Sequence, residues 1–193
     1  MSRDSATPFE LLVDPAVSRA KFERELQEYE REASTHRQRG WWMLSSDFPN
    51  VLVAFAVPHV RPMPVALGAL INFDNYDLWA PSVRIVNPFT GIPYKAKELR
   101  NEQTLLRRDP ATGKVIQQLQ SHDPEDVPFF CIQGVREYHA HPAHTGDHWL
   151  LHRGTGRGTL FFLLEKLHQY GVQTVKGFQV NLTISGLVIE VSE

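Results

Sequence analysis

Apolar residues recur at Val17, Ala20, Phe22, Leu26, Tyr29 and Ala33 behind an Asp14-Pro15 pair. That is the three-to-four spacing of an amphipathic helix with an aspartate N-cap and a proline in its first turn. The helix is expected to run to about Arg39 and to end at Gly40. Arg19, Glu23, Arg24, Glu28, Arg31 and Glu32 form its other face; they can pair at three- and four-residue spacing and read as a solvated surface. The period then shortens. Trp41 to Leu44, Val51 to Val57 and Val65 to Phe73 are rich in β-branched and aromatic residues between Pro- and Asn-containing breaks, so they are expected to be successive strands of an antiparallel meander. Ser82 to Val86 makes a further short strand bracketed by Pro81, Pro88 and Pro93. Because proline removes a ladder donor, this segment is expected at a sheet edge or in a crossing loop.

From about Lys95 to Pro128 the chain is polar, with turn chemistry at Asp109 to Gly113 and at Ser121 to Asp126, and reads as a long excursion holding one short hairpin. Phe129 to Tyr138 alternates as a strand does. Gly158 to Tyr170 has helical spacing, with Phe161, Phe162, Leu163, Leu164 and Leu167 facing a core and Gly171 as a C-cap. Val172 to Val191 is expected to close the chain as a strand or hairpin. Residues 1–193 thus read as one α+β domain, a size that needs no second core.

Composition narrows the function. Hydrophobic residues make up 42% and charged residues 22%, enough to bury a core. Lys plus Arg number 20 against 22 Asp plus Glu, a formal charge of −2, so no broad basic face for nucleic acid is expected. No apolar run approaches the roughly 18 to 20 residues of a membrane span. Cys131 is the single cysteine and the first residues lack a secretory pattern, which fits a reducing cytoplasm.

Five of the nine histidines lie between His139 and His152, and Cys131 opens the same stretch. If Phe129 to His141 is extended, Cys131, Glu137, His139 and His141 share a face, because their separations are even. Pro142 would stop the strand, and the following turn could bring back His144, Asp147 or His148 as a further ligand. Thiolate, imidazole and carboxylate together suit Zn²⁺ in a tetrahedral site, and a site with three protein ligands keeps a position for water. Glu137 or Asp147 could orient that water or take its proton. The expected metal set is Cys131, Glu137, His139, His141 and His148. His152 and His168, at or inside the next helix, read as structural. Gly154 to Thr159 could cradle an anion on backbone N–H groups, but lacks the Lys-Ser/Thr ending of a P-loop and reads as a flexible helix lead-in.

The order of elements resembles the ubiquitin-conjugating, or UBC-like, fold: a long first helix, a meander, the Pro-bracketed APSVRIVNPFTG, then a cysteine, a tryptophan (Trp149) and a helix. The stretch from Cys131 to His148 resembles a family of metal-binding proteins with a Cys, Glu, His, His signature, associated with bacterial ubiquitin-like conjugation systems. Cys131 and Glu137 match its first two positions, and His139, His141, His144 and His148 are available for the others. This resemblance implies participation in a ubiquitin-like modification pathway, with a ubiquitin-like protein or its activating and conjugating enzymes as partners. A UBC-like scaffold also implies an alternative in which Cys131 is a thioester-forming nucleophile tuned by a nearby His or Asp. His139-Ala-His141-Pro142 is similar to the His-x-His-Pro of JAMM-type metallopeptidases, which implies a third reading as a peptidase.

Overall fold

The computed structural model describes residues 12–99 and 105–177. Its first helix, α1 (Pro15–Arg31), begins as expected, with the Asp14 carboxylate accepting from Ala16 N at 2.8 Å. The helix stops at Glu32 rather than Arg39, and a separate short helix, α2 (Ala33–Gln38), completes the segment. The buried face of α1 is Ser18, Phe22, Glu25 and Tyr29, not the full apolar set. At about 100° per residue, Val17 and Ala20 lie on the far side of the helix from Phe22. Val17 is accordingly 46% exposed. Gly40 ends this segment with φ +84°, and a Cβ there would stand 2.3 Å from the Ala56 carbonyl oxygen.

The meander is present. Strands β1 (Trp41–Asp47), β2 (Asn50–Ala56), β3 (Val65–Asn72) and β4 (Ser82–Val86) run antiparallel, aligning Trp41 with Phe55, Val53 with Ala69, and Ala69 with Ile85. Hairpin β5 (Leu106–Arg108) and β6 (Val115–Gln117) forms the small second sheet, and Asp109 fixes its turn by accepting from Ala111 N and Thr112 Oγ1. Short strands β7 (Leu119–Gln120) and β8 (Phe129–Phe130) extend the main sheet to the order β1-β2-β3-β4-β8-β7. β4 is therefore interior rather than an edge or a crossing loop. Pro81 and Pro88 stay outside the ladder, Pro93 makes an isolated antiparallel bridge to Val86, and the ladder between β4 and β8 is the single pair Arg84–Phe129.

The expected strand from Phe129 to His141 ends at Phe130. The Ile132 and Val135 amides turn back to the carbonyls of Phe130 and Ile132, and Gly134 adopts φ +93°. Helix α3 (Arg136–Ala140) follows. It is tied to the connection between β3 and β4 by Arg136, whose Nε and Nη2 donate to the carbonyls of Ala80 and Asp74 at 3.0 and 2.6 Å. Short 3-10 turns at Pro142–His144 and Trp149–Leu151 lead to α4 (Leu160–Leu167), capped by the Thr159 hydroxyl.

Helices α1 and α4 cover the face of the sheet that buries Val51, Val53, Phe55, Leu67, Ala69 and Ile71. Leu163, Leu164 and Leu167 are fully buried as expected, whereas Phe161 is 50% exposed. The two helices meet through a carboxylate: buried Glu25 accepts from Leu160 N at 2.9 Å and from Tyr76 Oη at 3.2 Å. Gly171 is not a left-handed C-cap. It lies inside a single π-helical turn (His168–Val172), where a Cβ would meet Leu67 Cδ2 at 2.4 Å. Of the expected closing strand or hairpin from Val172 to Val191, Val172 instead ends this π-helical turn and residues 173–177 continue as turn and coil, while the part beyond residue 177 lies outside the described residues.

Candidate functional site

Cys131 sits just after β8, its N–H donating to Gln118 O at 2.7 Å. The thiol is half-buried, which pushes its pKa up. Sγ lies 3.5 Å from His144 Nε2. His144 reaches it because Pro142 opens a 3-10 turn whose first free amide, Ala143 N, donates to His141 Nδ1 at 3.1 Å. The His144 ring stacks on Tyr138 with centroids 3.8 Å apart. The His141 ring lies 5.6 Å from His144 and stacks on His122 at 5.2 Å. A thiol and three imidazoles thus line one rim, assembled by a turn rather than by the alternation of a strand.

The other residues expected in the metal set face elsewhere. Glu137 points back to the sheet, where Oε1 accepts from Ser82 Oγ at 2.5 Å and pairs with Arg84 Nη2 at 3.0 Å. Both ring nitrogens of His139 are engaged. Nδ1 donates to Asp147 O at 2.7 Å and Nε2 accepts from Gly134 N at 3.0 Å. Burial also lowers its pKa, which keeps this imidazole neutral. The exposed His148 caps the next turn, Nδ1 accepting from Leu150 N at 3.2 Å. It stands at an apolar cavity of about 480 Å³ with Leu78, Trp79 and Trp149. Among the described residues no three His, Cys, Asp or Glu side chains converge in ligating geometry.

Asp147 organises the wall behind Cys131. Its carboxylate accepts from His152 Nε2, from Tyr138 Oη at 2.7 Å and from Gln133 Nε2 at 2.8 Å. These donors, His152 foremost, hold its carboxyl well below the usual range. The sequence marks His152 as structural; its ring also packs 5.3 Å from His139, so it belongs to the site's support. Its signal was the five-residue interval from Asp147, bridged here by the Trp149–Leu151 turn. His122 gave no signal, because it lies in the polar excursion far from the cluster in sequence.

Over Cys131 opens a polar cleft of about 600 Å³, walled by β5, the turn at Gln118, the lead-in to α4, and α4 itself. The Cys131–His144 pair at its side can act chemically in two ways. It can share a soft or borderline metal, or the imidazole can take the thiol proton.

The family description that matches this chain, Y4jH family (Y4jH-like), spans residues 13–175. The chain belongs to the Y4jH family. A relative from Sinorhizobium fredii (strain NBRC 101917 / NGR234), "Uncharacterized protein y4jH", is 40% identical over 194 residues, covering 92% of this chain and 94% of that protein. The match takes in the whole segment from Cys131 to His152 and both helices that support it. Among the described residues no helix is long and apolar enough to cross a membrane.

Proposed function

We propose that this protein is a zinc-binding component of a bacterial ubiquitin-like modification pathway, with Cys131 and His144 as the anchor pair and His141, whose ring lies 5.6 Å from that of His144, as a third ligand that would have to turn in from its present stacking on His122. The observation that carries the reading is the 3.5 Å separation of Cys131 Sγ and His144 Nε2. Zn–S of about 2.3 Å and Zn–N of about 2.0 Å at a tetrahedral angle require a ligand-to-ligand distance of about 3.5 Å. The donor set also fits: thiolate and imidazole favour zinc over hard cations. Bound there, the metal would supply Lewis acidity or a structural clasp. Glu137 and His139 could join only by leaving their present partners, Arg84 with Ser82 and Gly134 with Asp147. The pathway assignment is supported by the resemblance of residues 131–148 to the Cys-Glu-His-His proteins of such systems.

The same contact favours a second reading, in which His144 Nε2 takes the Cys131 proton and the thiolate forms a thioester. Metal content and alkylation separate the two. Protein made without a histidine tag, with zinc in the medium, is expected to carry close to one equivalent by elemental analysis. Alkylation of Cys131 should be slow and should accelerate after chelation. No transition metal, together with fast chelator-independent alkylation and a reducible adduct with a ubiquitin-like protein and its activating enzyme, would establish the nucleophile instead.

A further inference from the structure

Three cations from separate parts of the chain line the cleft over Cys131: Arg107 on β5, Arg157 in the glycine-bounded lead-in to α4, and Lys166 on α4. No carboxylate is among the side chains that line it. Elsewhere, Lys21, Arg39, Arg84, Lys97 and Arg153 are within 4 Å of a carboxylate, but among the described residues Arg107, Arg157 and Lys166 form no such pair. Lys166 Nζ donates to Gln169 Oε1 at 2.9 Å and lies 5.8 Å from the Phe162 ring, both neutral partners. The acids beside the lining residues are engaged on other sides, Glu165 with Arg39 at 2.6 Å. Asp147 stands behind Gln133 and Tyr138 with His152, and Asp109 is committed to its own turn while facing Arg107 from an adjoining cleft.

Packing three like charges around one cleft costs repulsion unless something negative enters it. Guanidinium forks match paired oxygens of a carboxylate or a phosphate, and Gln118 and Gln120 on the same wall offer neutral amide donors beside them. We propose that this cleft is an oxyanion-binding pocket, in which Arg107, Arg157 and Lys166 hold a carboxylate or phosphate group of the ligand next to Cys131. The proposal goes beyond the metal reading and stands with Cys131 either as ligand or as nucleophile, since the cations border the cleft in both cases.

The test compares two alkylating reagents of similar size, anionic iodoacetate and neutral iodoacetamide, on chelator-treated protein at low ionic strength. A cationic cleft concentrates anions, so the iodoacetate-to-iodoacetamide rate ratio at Cys131 should exceed that of a small free thiol by roughly tenfold. Arg157→Gln and, independently, Lys166→Gln should each lower the ratio about two- to threefold, and about 0.5 M salt should largely abolish the excess. Folding of each variant is checked by circular dichroism. Inorganic phosphate and succinate, at up to about 10 mM, serve as protectants against iodoacetamide. Protection by phosphate alone assigns a phosphoryl group, and protection by succinate assigns a carboxylate. A ratio equal to that of the free thiol, or one unmoved by both variants, overturns the pocket. A chelator that leaves the absolute rate unchanged counts against the metal reading alone, so the two failures are distinguishable.

Discussion

Replacing Asp147 by Ala should cost about 3 kcal/mol of stability and loosen the rim that carries His144. The carboxylate accepts three hydrogen bonds, from Tyr138, Gln133 and His152. Bonds to an ionised acceptor contribute about 1.5–3 kcal/mol each when well shielded. Here the side chain keeps 27% of its surface exposed, so water replaces part of every bond and about 1 kcal/mol apiece is the appropriate figure. At about 2–4 °C per kcal/mol for a chain of this size, the melting temperature should fall by about 6–12 °C. Asp147→Asn separates shape from charge. Its oxygen can still accept from Tyr138 and Gln133 while its amide faces the His152 nitrogen, so about 1–2 kcal/mol is expected.

The pH dependence gives an independent check. Asp147 has a depressed pKa in the folded chain, so its contribution is complete above the ordinary carboxylate range and disappears as pH falls through and below it. Urea unfolding followed by tryptophan fluorescence should show this loss in wild type between about pH 5 and pH 2, with a shallower slope for Asp147→Asn. Because His144 stacks on Tyr138, whose hydroxyl Asp147 holds, the Ala variant should also bind zinc about 10- to 100-fold more weakly. An Ala variant within about 1 kcal/mol of wild type, or an Asn variant with the wild-type acid slope, would refute the assignment of the rim's rigidity to this carboxylate.

Burial pushes the Glu25 carboxyl up, so its charged form is a cost that grows as pH rises from the unfolded carboxylate range through the raised folded value. Glu25→Gln, able to accept from Leu160 N and donate to Tyr76, should therefore be at least as stable as wild type at pH 7, whereas Glu25→Ala should lose about 1–3 kcal/mol; thermal scans from pH 5 to 8 compare them. Gly134→Ala should cost about 3 kcal/mol or more, since φ is +93° and the new Cβ would stand 2.6 Å from Gly158 N. Gly113→Ala, at φ +69° in open space, is its control and should lose only about 1 kcal/mol in urea titration. His144→Ala should lose most of the bound zinc while His168→Ala, whose ring packs edge-on against Trp41, retains it; equal retention by elemental analysis would show that His144 is no ligand.

The meander was legible because each strand alternates or runs apolar between hard stops, and a period of two survives any tertiary context that buries one face. The first helix was legible as an element but not as a surface. Glu25 took an inward position that no hydrophobic scale would assign, because the Leu160 N–H opening α4 and the Tyr76 hydroxyl supplied a buried carboxylate with partners. The placement of β4 failed for a related reason. Pro81 and Pro88 carry no ladder pair and Pro93 only an isolated bridge to Val86, so Ser82 to Val86 remained free to pair with β3 and, at Arg84, with β8.

At the site, the residue types were legible and their arrangement was not. Even spacing from Cys131 to His141 predicts one shared face only if the backbone stays extended, and Gly134 breaks that premise by adopting a conformation that β-strands do not use. Beyond it, Arg136 finds the carbonyls of Ala80 and Asp74, and α3 turns Glu137 towards Arg84 instead of Cys131. What brings an imidazole back to the thiol is Pro142. As the first residue of a 3-10 turn it needs no donor, so His144 follows one turn later on the inner side of the loop, 13 residues from Cys131 and 3.5 Å away. The proline that the sequence offers as the end of a ligand-bearing strand is thus the start of the turn that makes the thiol–imidazole pair. A variant at Pro142 that keeps φ near its present value should therefore preserve the contact, while Pro142→Gly should loosen it and slow any chemistry that depends on the Cys131–His144 distance, read as weaker zinc retention with unchanged circular dichroism.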